Sequence, residues 1–142
     1  PKIKYEIDSA VNGAQAVAMM EKCYSQAGHK RYSLVFMDIV MPIGWDGVET
    51  TRRLWQIDPD LQVVICSAYS EYSWESIVEK LGYNDNFLIL KKPFEKIEIA
   101  QMVCCLTQKW LLSQQAGHKY DRLHQEVMQI SKDIIQKYGD KN

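Results

Sequence analysis

Three polar residues that could handle a phosphoryl group each follow a short apolar run in this chain of 142 residues. Asp38 ends the run LVFM, Ser67 follows VVIC, and Lys92 follows FLILK. A short apolar run bounded by turn residues is typical of a buried parallel strand. Because ligands bind outside the carboxyl ends of the strands in an open α/β sheet, we expect these three side chains at one edge.

A carboxylate, a hydroxyl and an ammonium that meet at one edge suit phosphoryl chemistry. The Asp38 carboxylate could attack phosphorus as a nucleophile. The Ser67 hydroxyl and the Lys92 ammonium could bind the oxygens of the attached group. We expect Mg²⁺ to neutralise the incoming charge.

Plainer interpretations of the same residues stay open. Asp38 could be a solvated acid at a strand end, Ser67 a turn residue, and Lys92 a surface lysine. Lys91 competes with Lys92 for the role of the site cation. We favour Lys92 because it directly precedes a proline and because neighbouring strand residues point to opposite faces.

The elements that must position these residues alternate between strand and helix. We predict strands over residues 4–11, 33–38, 61–66 and 87–91. We predict helices over residues 14–26, 46–57 and 70–81, with Asp46 as an N-cap and Gly82 as a stop, and a further helix from residue 95. This alternation predicts an α/β fold, a doubly wound parallel sheet with helices on both faces.

The last third of the chain has the pattern of a long helix. It contains no proline between residues 95 and 138, and its apolar residues recur at three-four spacings, the seam of a coiled coil. The seam comprises Ile99, Val103, Leu106 and Trp110, then Tyr120, Leu123, Val127, Ile130 and Ile134. The phase slips near Gly117, so one long helix and two helices with a hinge both stay open. The second half could pair with another chain or fold back on its own sheet.

Composition excludes some classes of function. The chain is 46% hydrophobic and 25% charged with a net charge of -1, which gives no general attraction to nucleic acid or anionic membranes. No apolar run approaches the roughly 20 residues of a membrane span. The four cysteines form no C-x-x-C pair, so we expect buried thiols rather than disulfides or zinc. We predict a cytoplasmic protein without membrane or nucleic-acid contact.

The three strand ends and their flanking residues resemble the receiver domain of two-component response regulators, which has a flavodoxin-like fold. The resemblance covers residues 4–110. It rests on three segments that occur in order: Asp38 with Met41-Pro42 and Asp46-Gly47, then Ser67-Ala68, then Lys92-Pro93-Phe94.

The resemblance implies a role for each of these positions. Asp38 would be the phospho-acceptor, Ser67 the switch hydroxyl with Ala68 beside it, and Lys92 the partner of the phosphorylated aspartate. Mg²⁺ would be held by Asp38 and the backbone carbonyl of Val40. The surrounding loops would be shaped by Pro42, Gly47 and Pro93.

The resemblance also implies partners and a domain plan. A histidine kinase or phosphotransfer protein would donate the phosphoryl group, and the chain would not be an enzyme beyond slow autodephosphorylation. Residues 1–110 would form the receiver, and residues 111–142 a coiled-coil linker to an output domain. A homodimer would form through the C-terminal helix and the receiver face.

One departure from the family is large. A receiver begins with a strand that ends in two acids and with a helix, and this sequence contains neither. The missing strand is central in the sheet order 2-1-3-4-5, so its absence leaves a slot of unpaired backbone. We infer that the sequence is a fragment, or that another chain fills the slot. Residues 1–142 alone should then unfold with poor thermal cooperativity.

Smaller departures concern the switch and the loop after Asp38. The loop MPIGWDG is one residue longer than usual, and Trp45 is either an exposed contact or packed on the local helix. The usual switch aromatic is replaced by Ile89, with Phe87 on the same face, which leaves Tyr69 as a weak substitute.

Two other functions are alternatives to a phosphorylated receiver. A non-phosphorylated interaction module would keep the fold and the dimer but not the acceptor chemistry. A dehalogenase-like phosphatase needs a second acid two residues after the nucleophile, and Val40 at that position argues against it. His118 and His124 are interpreted as solvated helix residues rather than phosphotransfer histidines.

Overall fold

Three parallel strands form the sheet, as the sequence predicts for an α/β chain. The computed structural model describes residues 4–26, 28, 30–41, 43–68 and 73–139. The strands are β1 (Leu34–Asp38), β2 (Gln62–Ser67) and β3 (Phe87–Lys91), in the order β1-β2-β3. The helices are α1 (Gly13–Ser25), α2 (Gly47–Ile57), α3 (Trp74–Leu81) and α4 (Lys96–Gly139). This is a flavodoxin-like arrangement followed by a long C-terminal helix.

The central strand β2 is buried along its whole length because helices cover both faces of the sheet. On one face, Val63 and Ile65 belong to a core that also includes Met20, Leu54 and Ile77 from α1, α2 and α3. On the other face, Val64 and Cys66 pack with Leu90 against partly buried residues of α4: Ile99, Met102 and Leu106. Apolar residues on both faces explain why β2 is a continuous apolar run in the sequence.

Side-chain caps fix where the shorter helices begin. Asn12, Asp46 and Ser73 each accept a hydrogen bond from a backbone N–H in the first turn of α1, α2 and α3. The predicted start of α3 at residue 70 was wrong, since its N-cap is Ser73 and residues 69–72 lie outside the described part of the chain. Gly82 ends α3 with φ of 79°, a left-handed conformation that suits glycine.

The predicted strand over residues 4–11 was wrong. These residues form no strand, because no neighbouring strand offers them backbone partners. They still run alongside the segment that leads into β1: Glu6 pairs with Lys30 at 2.5 Å and Asp8 accepts from Tyr32 at 2.5 Å. In each pair the two residues are 24 positions apart in the chain, so residues 6–8 and residues 30–32 run in the same direction.

A cleft of about 620 Å³ separates residues 5–12 from β1. Its walls include Met20 and Leu54 on one side and Ile99 and Val103 on the other. In the described part of the chain, β1 pairs with β2 along one edge and with no strand along the other. The cleft therefore lies along the edge of β1 that has no strand partner among the described residues, and its lining is largely apolar.

The helix α4 is unbroken through Gly117, which decides between the two alternatives for the C-terminal third. The chain divides into two compact units, Pro1–Trp110 and Leu111–Asn142. Within the second unit, the seam residues have 51–67% of their surface exposed: Tyr120, Leu123, Val127, Ile130 and Ile134. His118 and His124 are exposed as well.

Candidate functional site

The carboxyl edge of the sheet brings Asp38 and Lys92 into direct contact. Lys92 Nζ donates to Asp38 Oδ1 at 2.7 Å, although 54 residues separate them in the chain. Since β2 lies between β1 and β3, the lysine side chain must reach across the end of β2. The competing Lys91 is the last residue of β3, and its side chain is exposed. The cation beside Asp38 is therefore Lys92.

Ser67 lies at the end of β2, next to this ion pair in the sheet. It is only 4% exposed, and its Oγ donates to the carbonyl of Ala68 at 3.3 Å. The Ser67 carbonyl accepts from the N–H of Lys92 at 2.8 Å, which continues the β2–β3 ladder one residue beyond Lys91. This bond ties the backbone of Lys92 to that of Ser67, and the Lys92–Pro93 peptide that follows is cis.

Gly47 allows α2 to begin directly against the backbone of Asp38. A Cβ at this position would lie 2.2 Å from the Asp38 carbonyl oxygen, so any other residue would displace the strand end or the helix. The Gly47 N–H donates to the carbonyl of Ile39 at 2.7 Å. Asp46 caps the helix by accepting from the N–H of Glu49 at 2.8 Å. The glycine therefore fixes the short distance between the acceptor strand and the next helix.

The ion pair is accessible to solvent and so contributes little to stability. The side chains of Asp38 and Lys92 are 60% and 43% exposed. Exposed pairs of this kind contribute about 0–1 kcal/mol to folding. An accessible carboxylate beside a fixed ammonium is better suited to receiving a ligand than to holding the fold together.

Cys66 is next to the site but is not a rival nucleophile. Burial raises the pKa of its thiol, the charge of Asp38 raises it further, and Lys92 only partly opposes these effects. Because the thiolate is the reactive form of cysteine, a raised pKa keeps Cys66 inert at neutral pH.

The described residues provide only part of a Mg²⁺ site. Asp38 brings one carboxylate, which is already paired with an ammonium, and Val40 was predicted to add a backbone carbonyl. No group of three or more His, Cys, Asp or Glu side chains that could hold a metal occurs within the described ranges. Mg²⁺ in phosphoryl-transfer sites is held by one or two carboxylates together with water and phosphate oxygens. Asp38 meets only the lower end of this range, and its carboxylate is already paired with Lys92.

The remaining predicted positions differ in what the structure says of them. Pro42 and Tyr69 lie outside the described residues. Phe87 is buried, and its ring stacks on Trp74 with centroids 5.3 Å apart. Ile89 is partly buried in the same core. Trp45 is half-buried, with the Arg53 guanidinium 3.8 Å from its ring centroid, so its indole packs on α2.

A second carboxylate, Asp58, was missed from the sequence. It follows α2, is 4% exposed, and accepts hydrogen bonds from the Tyr24 hydroxyl and from Trp110 Nε1, the latter at 3.0 Å. The only signals for it are the Asp58-Pro59-Asp60 turn and the position of Trp110 on the helical seam. Its partners are 34 and 52 residues away, and spacing in one sequence does not reveal such pairs.

Comparison with known proteins agrees with this geometry. The family model for the response regulator receiver domain matches residues 2–104. The chain belongs to this family. Sporulation initiation phosphotransferase F of Bacillus subtilis (strain 168) is 33% identical over 99 residues, which cover 70% of this chain and 71% of the relative.

Two solved structures share the fold. A response regulator receiver protein from Sinorhizobium medicae WSM419 is 28% identical with a TM-score of 0.51, covering 70% of this chain and 68% of that one. A two-component transcriptional regulator AraC from Clostridium phytofermentans ISDg is 24% identical with a TM-score of 0.58, covering 78% and 76%.

Membership of the receiver family places the chain in two-component signalling. Receivers generally accept a phosphoryl group rather than act as ordinary enzymes, work with histidine kinases or phosphotransfer proteins, and generally bind Mg²⁺ at the phosphorylation site. None of the helices in the described ranges combines the length and apolar character that a membrane span requires.

Proposed function

We propose that this chain is a phosphoryl-accepting receiver that carries the phosphoryl group on Asp38. The observation that supports this most directly is the 2.7 Å contact between Lys92 Nζ and Asp38 Oδ1 at the carboxyl edge of the sheet. Because the Asp38 side chain is 60% exposed, a donor can reach it. The buried Met37 and the close approach of Gly47 to the Asp38 carbonyl hold the strand end in place.

The transfer needs little from the protein beyond position and charge. An Asp38 oxygen attacks phosphorus, a new O–P bond forms, and the bond to the donor breaks with its electron pair leaving on the donor. Lys92 stays paired with the added negative charge, and the Ser67 hydroxyl turns from the Ala68 carbonyl to a phosphoryl oxygen. Ser67 can make this exchange because its present bond is long, at 3.3 Å.

The donor is a histidine kinase or a phosphotransfer protein, as is general for the family. Asp38 and the Val40 carbonyl would hold Mg²⁺, which would neutralise the charge of the incoming phosphoryl group, and a strand in the cleft beside β1 would bring the acids that complete its site. The width and apolar lining of the cleft support this, as does the parallel course of residues 5–12 and β1.

The receiver domain spans residues 1–110, and residues 111–142 link it to an output domain. The exposed seam of α4 at Tyr120, Leu123, Val127, Ile130 and Ile134 supports pairing with a second copy of the chain. Phosphorylation would shift a two-state equilibrium of the receiver and thereby the packing of the dimer.

A second candidate is a non-phosphorylated interaction module with the same fold. Among the described residues, Asp38 has Lys92 as a partner but belongs to no group of three or more His, Cys, Asp or Glu side chains that could hold a metal. In such a module the function of the chain would lie in its helical interface.

The test is intact mass after incubation of the natural full-length chain with acetyl phosphate and Mg²⁺. One phosphoryl increment that is absent from Asp38→Asn would establish the acceptor. A folded protein that gains no increment would favour the interaction module instead.

A further inference from the structure

The loop that follows Asp38 is held firmly at both ends. At its start, Ile39 is 1% exposed, and its N–H donates to the Cys66 carbonyl at 3.3 Å. Its carbonyl accepts from the N–H of Gly47, which closes the loop at 2.7 Å. The two ends therefore meet at the base of α2.

Between these ends, Met41 is partly buried against the core, whereas Val40, Ile43 and Gly44 are exposed. Val40 and Ile43 are 64% and 73% exposed, and Gly44 has φ of 81°. Exposed apolar side chains add little to fix a backbone, and a glycine in the left-handed region adds none. Met41 anchors the first half of the loop, so the second half, from residue 43 to α2, needs an anchor of its own if the whole loop is to keep one geometry.

Trp45 is the residue placed to do this. The Arg53 guanidinium lies 3.8 Å from the centroid of its indole, and Arg53 Nε donates to Glu49 at 3.0 Å. The guanidinium is thus fixed by a carboxylate while it stacks on the ring. On the α1 side, a Cβ on Gly13 would lie 3.3 Å from Trp45 Cε3, so the indole fits closely against the first residue of α1.

We propose that Trp45 is a positioning residue for the phosphorylation of Asp38. It acts as a wedge between α1 and α2 and fixes the loop through which Asp38 joins α2. This inference rests on the proposed acceptor function of Asp38. Trp45 itself touches neither the carboxylate nor the phosphoryl group.

The size of the effect follows from the geometry of attack. A misplacement of about 1 Å in a reacting group can cost up to about a hundredfold in rate. Trp45 acts through the backbone and not by contact, so we expect Trp45→Ala to slow phosphorylation about tenfold. Trp45→Phe keeps a ring beneath the guanidinium and should restore most of the rate.

The test measures the initial rate of phosphoryl incorporation from acetyl phosphate into the natural full-length chain, by intact mass. The variants are Trp45→Ala, Trp45→Phe, Arg53→Ala and Arg52→Ala. Arg52 is the matched control because it also pairs with Glu49, at 2.8 Å, but does not stack on Trp45. Rates are compared at a temperature where circular dichroism shows every variant folded.

The proposal predicts an order of phosphorylation rates among the four variants. Arg53→Ala and Trp45→Ala should both be slow, Trp45→Phe close to wild type, and Arg52→Ala unchanged. If Trp45→Ala fails to fold, the pair Arg53→Ala and Arg52→Ala still decides the question.

Two results would overturn the proposal, and they can be told apart. Wild-type rates for folded Trp45→Ala and Arg53→Ala would reject the role of Trp45 and leave Asp38 as the acceptor. A folded wild type that takes up no phosphoryl group would reject the acceptor function, and the role of Trp45 with it.

Discussion

The side chain of Asp38 at one edge of the sheet is 60% exposed, whereas Asp58 at the opposite edge is only 4% exposed. Asp38 has the ammonium of Lys92 as its partner. Asp58 accepts from the Tyr24 hydroxyl, from Trp110 Nε1 and from the N–H of Asp60.

The difference separates a carboxylate that reacts from one that holds elements together. Asp58 receives neutral donors from α1 and α4 and lies in the turn between α2 and β2. A buried carboxylate is tolerated only when several donors satisfy it. Asp38 keeps lone pairs open to solvent, which a nucleophile needs. We therefore expect stability to depend on Asp58 and phosphoryl chemistry on Asp38.

The largest expected effect is that of Asp58→Ala. It would leave the partly buried Tyr24 hydroxyl and Trp110 N–H without an acceptor and cost about 2 kcal/mol of unfolding free energy. Urea unfolding followed by circular dichroism measures it. Asp38→Ala is the matched control and should change stability by less than about 0.5 kcal/mol. Equal losses of unfolding free energy in the two variants would contradict the proposed difference between Asp58 and Asp38.

The next effect concerns the donor on α4. Trp110→Phe keeps an aromatic ring at this position but removes the N–H that reaches Asp58. We expect it to lower the free energy of unfolding by about 1 kcal/mol. Trp74→Phe is a suitable control, because the Trp74 ring stacks on Phe87 and a phenyl ring preserves that contact. If Trp110→Phe were as stable as wild type, the hydrogen bond to Asp58 would make no net contribution to stability.

Alkaline pH should lower the stability of the protein by ionising Tyr24, which donates to Asp58. Burial, followed by the hydrogen bond to Asp58, raises the pKa of Tyr24 well above its usual value near 10. A group with a raised folded-state pKa stabilises fully below its unfolded pKa, and this stabilisation is lost as the pH rises through the folded-state value. Wild type should therefore lose stability above pH 10 more steeply than Tyr24→Phe. Parallel curves in the two proteins would contradict this.

The smallest effect on stability is expected at the Asp38 edge. Lys92→Ala removes an exposed ion pair and should change the unfolding free energy by less than about 1 kcal/mol. The same variant should take up a phosphoryl group much more slowly from acetyl phosphate. A large loss of stability would mean that Lys92 serves the fold rather than the site.

The sequence predicted the parts of the fold that depend on local pattern. β1, β2 and β3 are apolar runs between turn residues, and the alternation of strands and helices was enough for a doubly wound α/β sheet, while the flavodoxin-like class followed from the resemblance to receiver domains. The position of Pro93 and the alternation of side chains along a strand favour Lys92 over Lys91, and Lys92 is the lysine that reaches Asp38.

The errors came from partners that are distant in the chain or absent from the sequence. Residues 4–11 alternate like a strand, but a strand forms only beside another strand, and none adjoins them in the described residues. Asp58 looks like an ordinary turn acid until folding brings Tyr24 and Trp110 to it. The packing of Trp45 stayed open because both Arg53 and Gly13 had to be placed in space first.

The uncovered edge of β1 has a consequence for how these residues behave in solution. A sheet edge with free N–H and C=O groups is a template on which other chains can add strands. Phe36, in the middle of β1, is 39% exposed and adds an apolar surface to that edge. Residues 1–142 on their own should therefore aggregate as concentration rises, and light scattering should fall when a soluble peptide caps the edge.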